Sequence, residues 1–226
     1  MLTVDQLRNF SIFADLEDVD LKYILTLVTV KQFKKDSVVV IEEDEANSVF
    51  FIIKGKVKIS RLSEDGREVI LTILGDFDFF GEMAVIDGFA RSANAVSLSD
   101  SDLMIVHSRD FMDLLYKYPD IPIALLREMA VRLRKSDSQI KSLSLGDATG
   151  RVGNTLLRLA DDIGIMQAGR VELASVPLQQ DLANMAGTSR ETISRVLHYF
   201  IQEKLIDRDG SKIIILDYNK FRDLFA

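Results

Sequence analysis

From residue 31 to about 108, short runs of β-branched and aromatic residues alternate with turn formers. On either side the apolar spacing is helical. Candidate strands are Ser37–Ile41, Ser48–Ile53, Val57–Leu62, Glu68–Leu74, Ala93–Leu98 and Asp102–Val106. The stretches Glu42–Asn47, Lys54–Lys56, Glu64–Gly66 and Ser99–Ser101 supply the turns. Even spacing of this kind predicts a small antiparallel sandwich or jelly roll. Residues 3–30 read as two short helices covering one end of it, and Arg109–Tyr118 as a further helix stopped by Pro119. A long helix follows from Asp120 to about Leu145, with Pro122 in its tolerant first turn. Beyond it come a helix over Val152–Ala160 and a strand over Arg170–Ala174. Pro177 then opens a short helix ended by Gly187, and Thr188-Ser189 caps a second, Arg190 to Lys204. The pair reads as helix–turn–helix, with Ile193, Val196, Leu197 and Phe200 burying the second member. Leu205–Arg208 and Ile213–Leu216, joined through Asp209-Gly210, form a wing, and Tyr218–Phe225 a terminal helix. The expected class is α+β: an N-terminal antiparallel β jelly roll over 1–118, a dimerisation helix and hinge over 119–146, and a C-terminal winged helix–turn–helix over 147–226.

The long helix has an apolar face at Leu126, Met129, Leu133, Ile140 and Leu143, with Ser136 in the remaining seam position. Alternating steps of three and four residues are the seam of a two-stranded coiled coil, so a homodimer is expected through this helix. The alternative is a single amphipathic helix packed on its own sheet. A polar residue in a seam costs stability and fixes register, or marks a place where the seam meets a ligand. Gly146–Gly150 reads as the hinge, with helix resuming at Arg151.

Composition narrows the chemistry. The 226 residues are 47% hydrophobic and 28% charged, an ordinary globular balance. With no cysteine there is no disulfide, thiolate metal site, iron–sulfur cluster or catalytic thiol. No run of 18 apolar residues is present, and the first ten residues lack the basic and apolar regions of a signal peptide. A cytoplasmic protein without a membrane partner is expected. The net charge of −7 opposes global steering toward nucleic acid, but residues 1–118 carry 21 acidic against 13 basic side chains, so the acid lies away from the helix–turn–helix. His107 and His198 are read as structural. They cannot supply the histidine–aspartate metal cluster of a phosphodiesterase, so no enzyme and no cofactor are expected.

The stretch Phe79-Phe80-Gly81-Glu82-Met83-Ala84 followed by Arg91-Ser92-Ala93 reads as an anion site. Glycine at 81 permits close approach of backbone to ligand. A short helix from Glu82, ended by Asp87-Gly88, offers N–H groups at its start. Arg91 matches a phosphate with its planar fork, and Ser92 adds a hydroxyl. Glu82 fits if the ligand also donates hydroxyls, as the ribose 2′-OH of a cyclic nucleotide would. The competing reading is a strand–turn–strand with Glu82 and Arg91 as a surface ion pair. Gly-Glu-Met-Ala followed by Arg-Ser-Ala resembles the phosphate-binding cassette of cyclic-nucleotide-binding domains. The resemblance implies that Glu82 takes the ribose hydroxyl and that Arg91, Ser92 and nearby N–H groups take the cyclic phosphate. Phe77 departs from it where a glycine is usual.

In the second helix of the pair, Arg190, Glu191 and Arg195 project to one side. Arginine suits guanine and glutamate suits the cytosine amino group. The same residues are also ordinary surface chemistry for a helix. Ser189-Arg190-Glu191-Thr192-x-x-Arg195 resembles the recognition helix of the cyclic-AMP receptor/FNR family of transcription regulators. That resemblance implies Arg190, Glu191 and Arg195 as base readers, with Ser189, Thr192, Gln179 and Gln180 as phosphate candidates. Matching Thr149-Gly150-Arg151 to the family places Ser136 and Asp137 at positions where hydroxyls touch the purine, and Asp137 departs from that pattern. Arg132, one turn earlier, is a further pocket candidate. Iron–sulfur sensing is excluded by the absence of cysteine, and the two histidines do not obviously supply haem ligands. The expectation is a homodimeric regulator of double-stranded, palindromic DNA, switched by cyclic AMP. The alternative is the same DNA-binding regulator with no cyclic-mononucleotide response or with cyclic GMP or cyclic di-GMP as effector. RNA polymerase is a further candidate partner.

Overall fold

The computed structural model describes residues 2–64, 66, 68–174, 176–210 and 212–226. Asp65 of the turn expected at Glu64–Gly66 lies outside them. The chain forms two compact units, Met1–Arg61 with Leu74–Arg134, and Leu62–Ile73 with Lys135–Ala226.

The first opens with α1 (Val4–Arg8), whose N-cap Thr3 and Gln6 form a reciprocal capping box. A 3-10 turn (Ser11–Phe13) and α2 (Asp18–Leu25) follow. Strands β1 (Val28–Phe33), β2 (Val38–Val40), β3 (Ser48–Lys54), β4 (Val57–Leu62), β5 (Glu68–Leu74, grouped with the second unit up to Ile73) and β6 (Phe79–Phe80) then lead along the chain into α3 (Glu82–Asp87). After it come β7 (Asn94–Ser97), β8 (Ser101–His107), α4 (Ser108–Lys117) and α5 (Asp120–Leu145). The strands make two four-stranded sheets, ordered β1-β8-β3-β6 and β2-β7-β4-β5. The β1–β8, β3–β8, β3–β6, β2–β7 and β4–β7 pairings are all antiparallel, as a jelly roll requires.

Strand β3 explains where the core sits. Successive side chains point to opposite faces of a strand. Val49 and Phe51 therefore join one apolar cluster with Phe10, Phe13, Phe79, Met104 and Phe111. Phe50 and Ile52 join another with Val57, Phe80, Ala95 and Leu103. Phe51 stacks on Phe13 at 5.3 Å and meets Phe10 edge-on at 5.4 Å. The helical N-terminal segment thus caps the roll with aromatic rings.

Before α3, two strands differ from the sequence expectation. Helix stops at Leu25, and Val28–Phe33 is an edge strand rather than the tail of a helical region. Its interior residues are exposed, so no buried alternation announced it. Phe79-Phe80 pairs with Phe51 and Phe50 as a two-residue strand, below the length that periodicity resolves. Phe77, the departure from glycine, holds a left-handed backbone at φ 69°. Its ring lies edge-on to Phe10 at 5.6 Å, so packing retains a side chain where the backbone favours none.

In the second unit, α6 (Ala148–Ile163) precedes β9 (Ile165–Gln167) and β10 (Arg170–Leu173). Then come α7 (Gln179–Ala186), α8 (Arg190–Gln202), β11 (Ile206–Asp209), β12 (Lys212–Ile215) and α9 (Tyr218–Phe225). The sheet order is β11-β12-β10-β9. Gly187 ends α7 in the left-handed conformation, φ 57°, and makes the turn into α8. The helix break at the stretch read as a hinge, Gly146–Gly150, is shorter than that. Asp147 caps α6 by accepting from the Gly150 N–H at 2.7 Å, so helix resumes at Ala148 and Gly150 lies inside it. The aspartate side chain thereby satisfies one of the free N–H groups at the start of α6. Among the described residues no helix is long and apolar enough to cross a membrane.

Gly153 of α6 packs directly against α9. A Cβ there would fall 2.4 Å from Cγ of Phe225. Gly153→Ala should therefore destabilise the protein by about 1–3 kcal/mol in urea denaturation. Removing the ring in the same chain with Phe225→Ala should make the two effects strongly non-additive. Additivity would mean that the ring moves aside at no cost.

Candidate ligand and nucleic-acid sites

The ligand candidate is built around the turn from β6 into α3. Gly81 is left-handed, φ 84°, and caps α3. A Cβ at 81 would sit 2.7 Å from Nη1 of Arg91. Glycine thus serves both the turn and the seating of an arginine against bare backbone. Nη1 of Arg91 donates to the Gly81 carbonyl and Nη2 to the Ser48 carbonyl, each at 2.7 Å. The guanidinium lies 5.7 Å from the Phe50 ring centre, and Phe50 stacks on Phe80. Backbone bonds from Arg91 N to Asp44 O and from Glu43 N to Arg91 O, both 2.9 Å, fix the residue from the other side. The two carbonyls use two of the five N–H donors of the guanidinium, so others remain to meet an anion.

Glu82 opens α3 and is 2% exposed. Its Oε1 accepts from Nη1 of Arg132 at 3.2 Å, while the equally buried Oε2 has no hydrogen-bond partner. Arg132 also donates from Nη2 to the Phe79 carbonyl at 2.8 Å and from Nε to Glu128 at 3.2 Å, and stacks over the Phe79 ring at 4.6 Å. Burial pushes the Glu82 carboxyl above its usual range, against the pull of Arg132 and Arg91. Burial likewise lowers the Arg91 guanidinium, against Glu82 and Asp44. The result is a buried carboxylate with an open acceptor, near a buried cation with donors in reserve. A ligand bearing both a hydroxyl and an anionic group answers both.

This is not the surface ion pair that the sequence also allowed. Both residues are buried, and Glu82 pairs with Arg132 instead of Arg91. Gly81, Glu82, Arg91 and Arg132 come together. Ala84 is buried one turn into α3, Ala93 is half-buried, and Ser92 is exposed. Met83 is 52% exposed, because position 83 falls on the outer face of the short helix. Ser136 and Asp137 are exposed on α5, in the part of that helix belonging to the second unit. Ser48, Phe79 and Glu128 were not foreseen. The first two act through backbone carbonyls, which leave no trace in side-chain identity. Glu128 had a signal, since it stands four residues before Arg132 on one helix. A groove of about 540 Å³ between α3 and α4 is a different feature, reached by Ala84 alone among the candidate residues.

The nucleic-acid candidates lie on α7 and α8. Ser189 caps α8 by accepting from Thr192 N at 3.2 Å, and the two hydroxyls are also 3.2 Å apart. Arg190, Glu191 and Arg195 are exposed on α8. Gln180 is exposed and donates to Asn184 at 3.0 Å, and Gln179 is half-buried at the start of α7. Arg151 holds the turn between the two helices. Its Nε donates to Ala186 O at 3.0 Å, and its Nη1 to Gly146 O at 2.9 Å. One cation therefore satisfies carbonyls at the ends of α7 and α5, where helix dipoles favour it. His107 and His198, read from the sequence as structural, are both exposed. His107 stands at the N-cap of α4 and His198 on α8.

The chain is similar to known proteins along most of its length. Residues 30–118 match the family described as cyclic nucleotide-binding domain, and residues 150–224 the Crp-like helix-turn-helix domain. It is 32% identical over 185 residues to the CRP-like cAMP-activated global transcriptional regulator of Mycobacterium tuberculosis, covering 82% of this chain and 83% of that one. The cyclic AMP receptor protein of Thermus thermophilus is 32% identical over 190 residues, 84% of each chain. The structure of FixK2 from Bradyrhizobium japonicum shares the fold, with a TM-score of 0.77 at 22% identity over 88% of this chain and 98% of that one.

A carboxyl whose folded pKa lies above its unfolded value stabilises the fold fully below the unfolded value. That contribution is lost as pH rises through the folded one. In ligand-free protein, wild type should therefore lose stability relative to Glu82→Gln as pH climbs from about 4.5 toward neutrality. Denaturant midpoints for both proteins across that range measure the difference. A gap that does not vary with pH would show that the carboxyl is not held above its ordinary value.

Proposed function

The chain belongs to the cyclic-AMP receptor protein/FNR family of transcription regulators, and we propose that it is a cytoplasmic homodimer switched by cyclic AMP on palindromic double-stranded DNA. The observation that carries the effector reading is the buried Glu82, with an unpartnered Oε2, beside the buried guanidinium of Arg91. Glu82 takes the ribose 2′-OH. Arg91, with Ser92 and the N–H groups around Ala84 and Ala93, takes the cyclic phosphate. Gly81 keeps the backbone clear of the ligand. Arg132 joins the pocket from α5, so ligand binding competes for or reinforces its bond to Glu82, and Ser136 and Asp137 meet the base. The carboxylate at 137 accepts from an adenine amino group and equally from guanine N1 and N2. Cyclic GMP is therefore a second candidate effector, and cyclic di-GMP or no cyclic mononucleotide at all remain alternatives that titration decides.

Support for the dimer is the apolar stripe of α5. Leu126, Leu133 and Ile140 are each more than 60% exposed at heptad spacing, and large uncovered apolar side chains in register call for a partner helix. Support for the DNA contact is the exposed set Arg190, Glu191 and Arg195 on α8, with Ser189 and Thr192 at its N-terminus and Gln179 and Gln180 on α7. Arginines read guanines and glutamate reads cytosine in the major groove. The ligand selects one arrangement of the paired α5 helices, which sets the recognition helices about 34 Å apart for two half-sites. Moving that equilibrium from 1:99 to 99:1 needs ~5.5 kcal/mol of differential affinity. RNA polymerase is the partner through which bound protein would act on transcription.

Calorimetric titration with cyclic AMP, cyclic GMP and cyclic di-GMP should give saturable binding of the first, lost by about 2–5 kcal/mol in Arg91→Ala. Since Arg91 also holds two carbonyls, the variant's melting curve is taken alongside. A folded Arg91→Ala protein that binds cyclic AMP as wild type does would remove the pocket. For the dimer, sedimentation of Leu133→Asp should show monomer at concentrations where wild type is dimeric. A variant still dimeric would put the interface elsewhere.

A further inference from the structure

Helix α8 carries more outward-facing chemistry than the base readers account for. Its buried side chains are Ile193, Val196, Leu197 and Phe200. At ~100° per residue, and taking Arg190 as zero, these span roughly 240° to 340° around the axis. The line opposite their midpoint lies near 110°. Glu191 falls at about 100° and Arg195 at about 140°, but His198 falls at about 80° and Gln202 at about 120°. All four are exposed. The face that carries Glu191 and Arg195 thus continues without interruption toward the end of α8, and the imidazole sits close to its midline.

The ring is also held. Gln202 Nε2 lies 3.0 Å from His198 Nε2. An amide nitrogen only donates, so in this arrangement the ring Nε2 accepts and the hydrogen stays on Nδ1 as a donor. At 1.5 Å per residue, His198 stands ~10 Å along the axis from Glu191. Residues at the start of a recognition helix reach base edges, and those two turns on lie at the groove wall, where the sugar–phosphate backbone runs.

We propose that His198, positioned by Gln202, is a DNA phosphate contact that extends the reading face of α8 without selecting a base. The inference rests on the reading of α8 as the DNA-contacting helix. It gives the side chain a role distinct from those of Arg190, Glu191 and Arg195: it adds affinity and register but no sequence preference.

The test uses the full-length protein saturated with cyclic AMP and a duplex selected from a random pool by the wild-type protein. Binding is measured on that duplex, on its single-base-pair variants, and across salt from about 50 to 200 mM. His198→Ala should weaken every duplex by a similar factor, on the order of tenfold for the dimer, with base preferences unchanged. His198→Lys should restore affinity and steepen the salt dependence by about one phosphate contact per protomer. Glu191→Ala, run beside them, should instead relax one base pair. If His198→Ala binds as wild type while Arg195→Ala is weakened, the histidine contact is wrong and the DNA reading of α8 stands. If neither variant changes binding, both fall together. A change of preference at one base pair in His198→Ala would make the residue a base reader and overturn the phosphate assignment.

Discussion

A carboxylate that is almost wholly buried has to be answered by positive charge, and that requirement organises the N-terminal unit. Glu82 is out of water at the mouth of α3, and its Oε1 is met from α5 by Arg132. Arg132 in turn needs the Phe79 carbonyl, Glu128 and the Phe79 ring to hold its own position. The roll, the short helix and the first half of α5 are thereby tied through one polar centre inside apolar surroundings. The tie is incomplete, since Oε2 is unanswered. An unsatisfied buried acceptor is costly, so a group that donates to it gains more than a surface hydrogen bond would supply. The open acceptor at Oε2 is what the protein's own side chains leave unmet.

Much of this was legible from the chain. The strands from Ser48 to Val106, the long helix from Asp120 to Leu145 and the helix pair ending at Gln202 follow from period-two and period-3.6 spacing with glycine and proline punctuation. What was not legible falls into two kinds. The edge strand Val28–Phe33 and the two-residue strand at Phe79 are fixed by tertiary pairing, which no local pattern encodes. The partners of Arg91 are backbone carbonyls, whose position depends on the roll and whose identity any residue could supply. Asp147 is a different case. An aspartate three residues before a glycine reads as loop, yet its side chain caps α6 and shortens the break between α5 and α6.

In the second unit Arg151 does for the helix pair what Arg132 does for the polar centre at Glu82. It gathers the carbonyl ends of α5 and α7 onto one guanidinium. Leu143 reinforces the same junction, since a Cβ at Gly187 would come within 3.0 Å of it. The turn between α7 and α8 is therefore held by the last turn of α5.

The double-sided burial of β3 bears on how this protein can be divided. The stretch matching a cyclic nucleotide-binding domain begins at residue 30, yet Phe10 and Phe13 supply the rings that cover Phe51. A fragment trimmed to that stretch would present Phe51 and Phe79 to water on one side while keeping the other side of the same strand packed. Excision at the homology boundary would hence yield a sticky, half-clothed roll, and the workable cut lies upstream of Thr3.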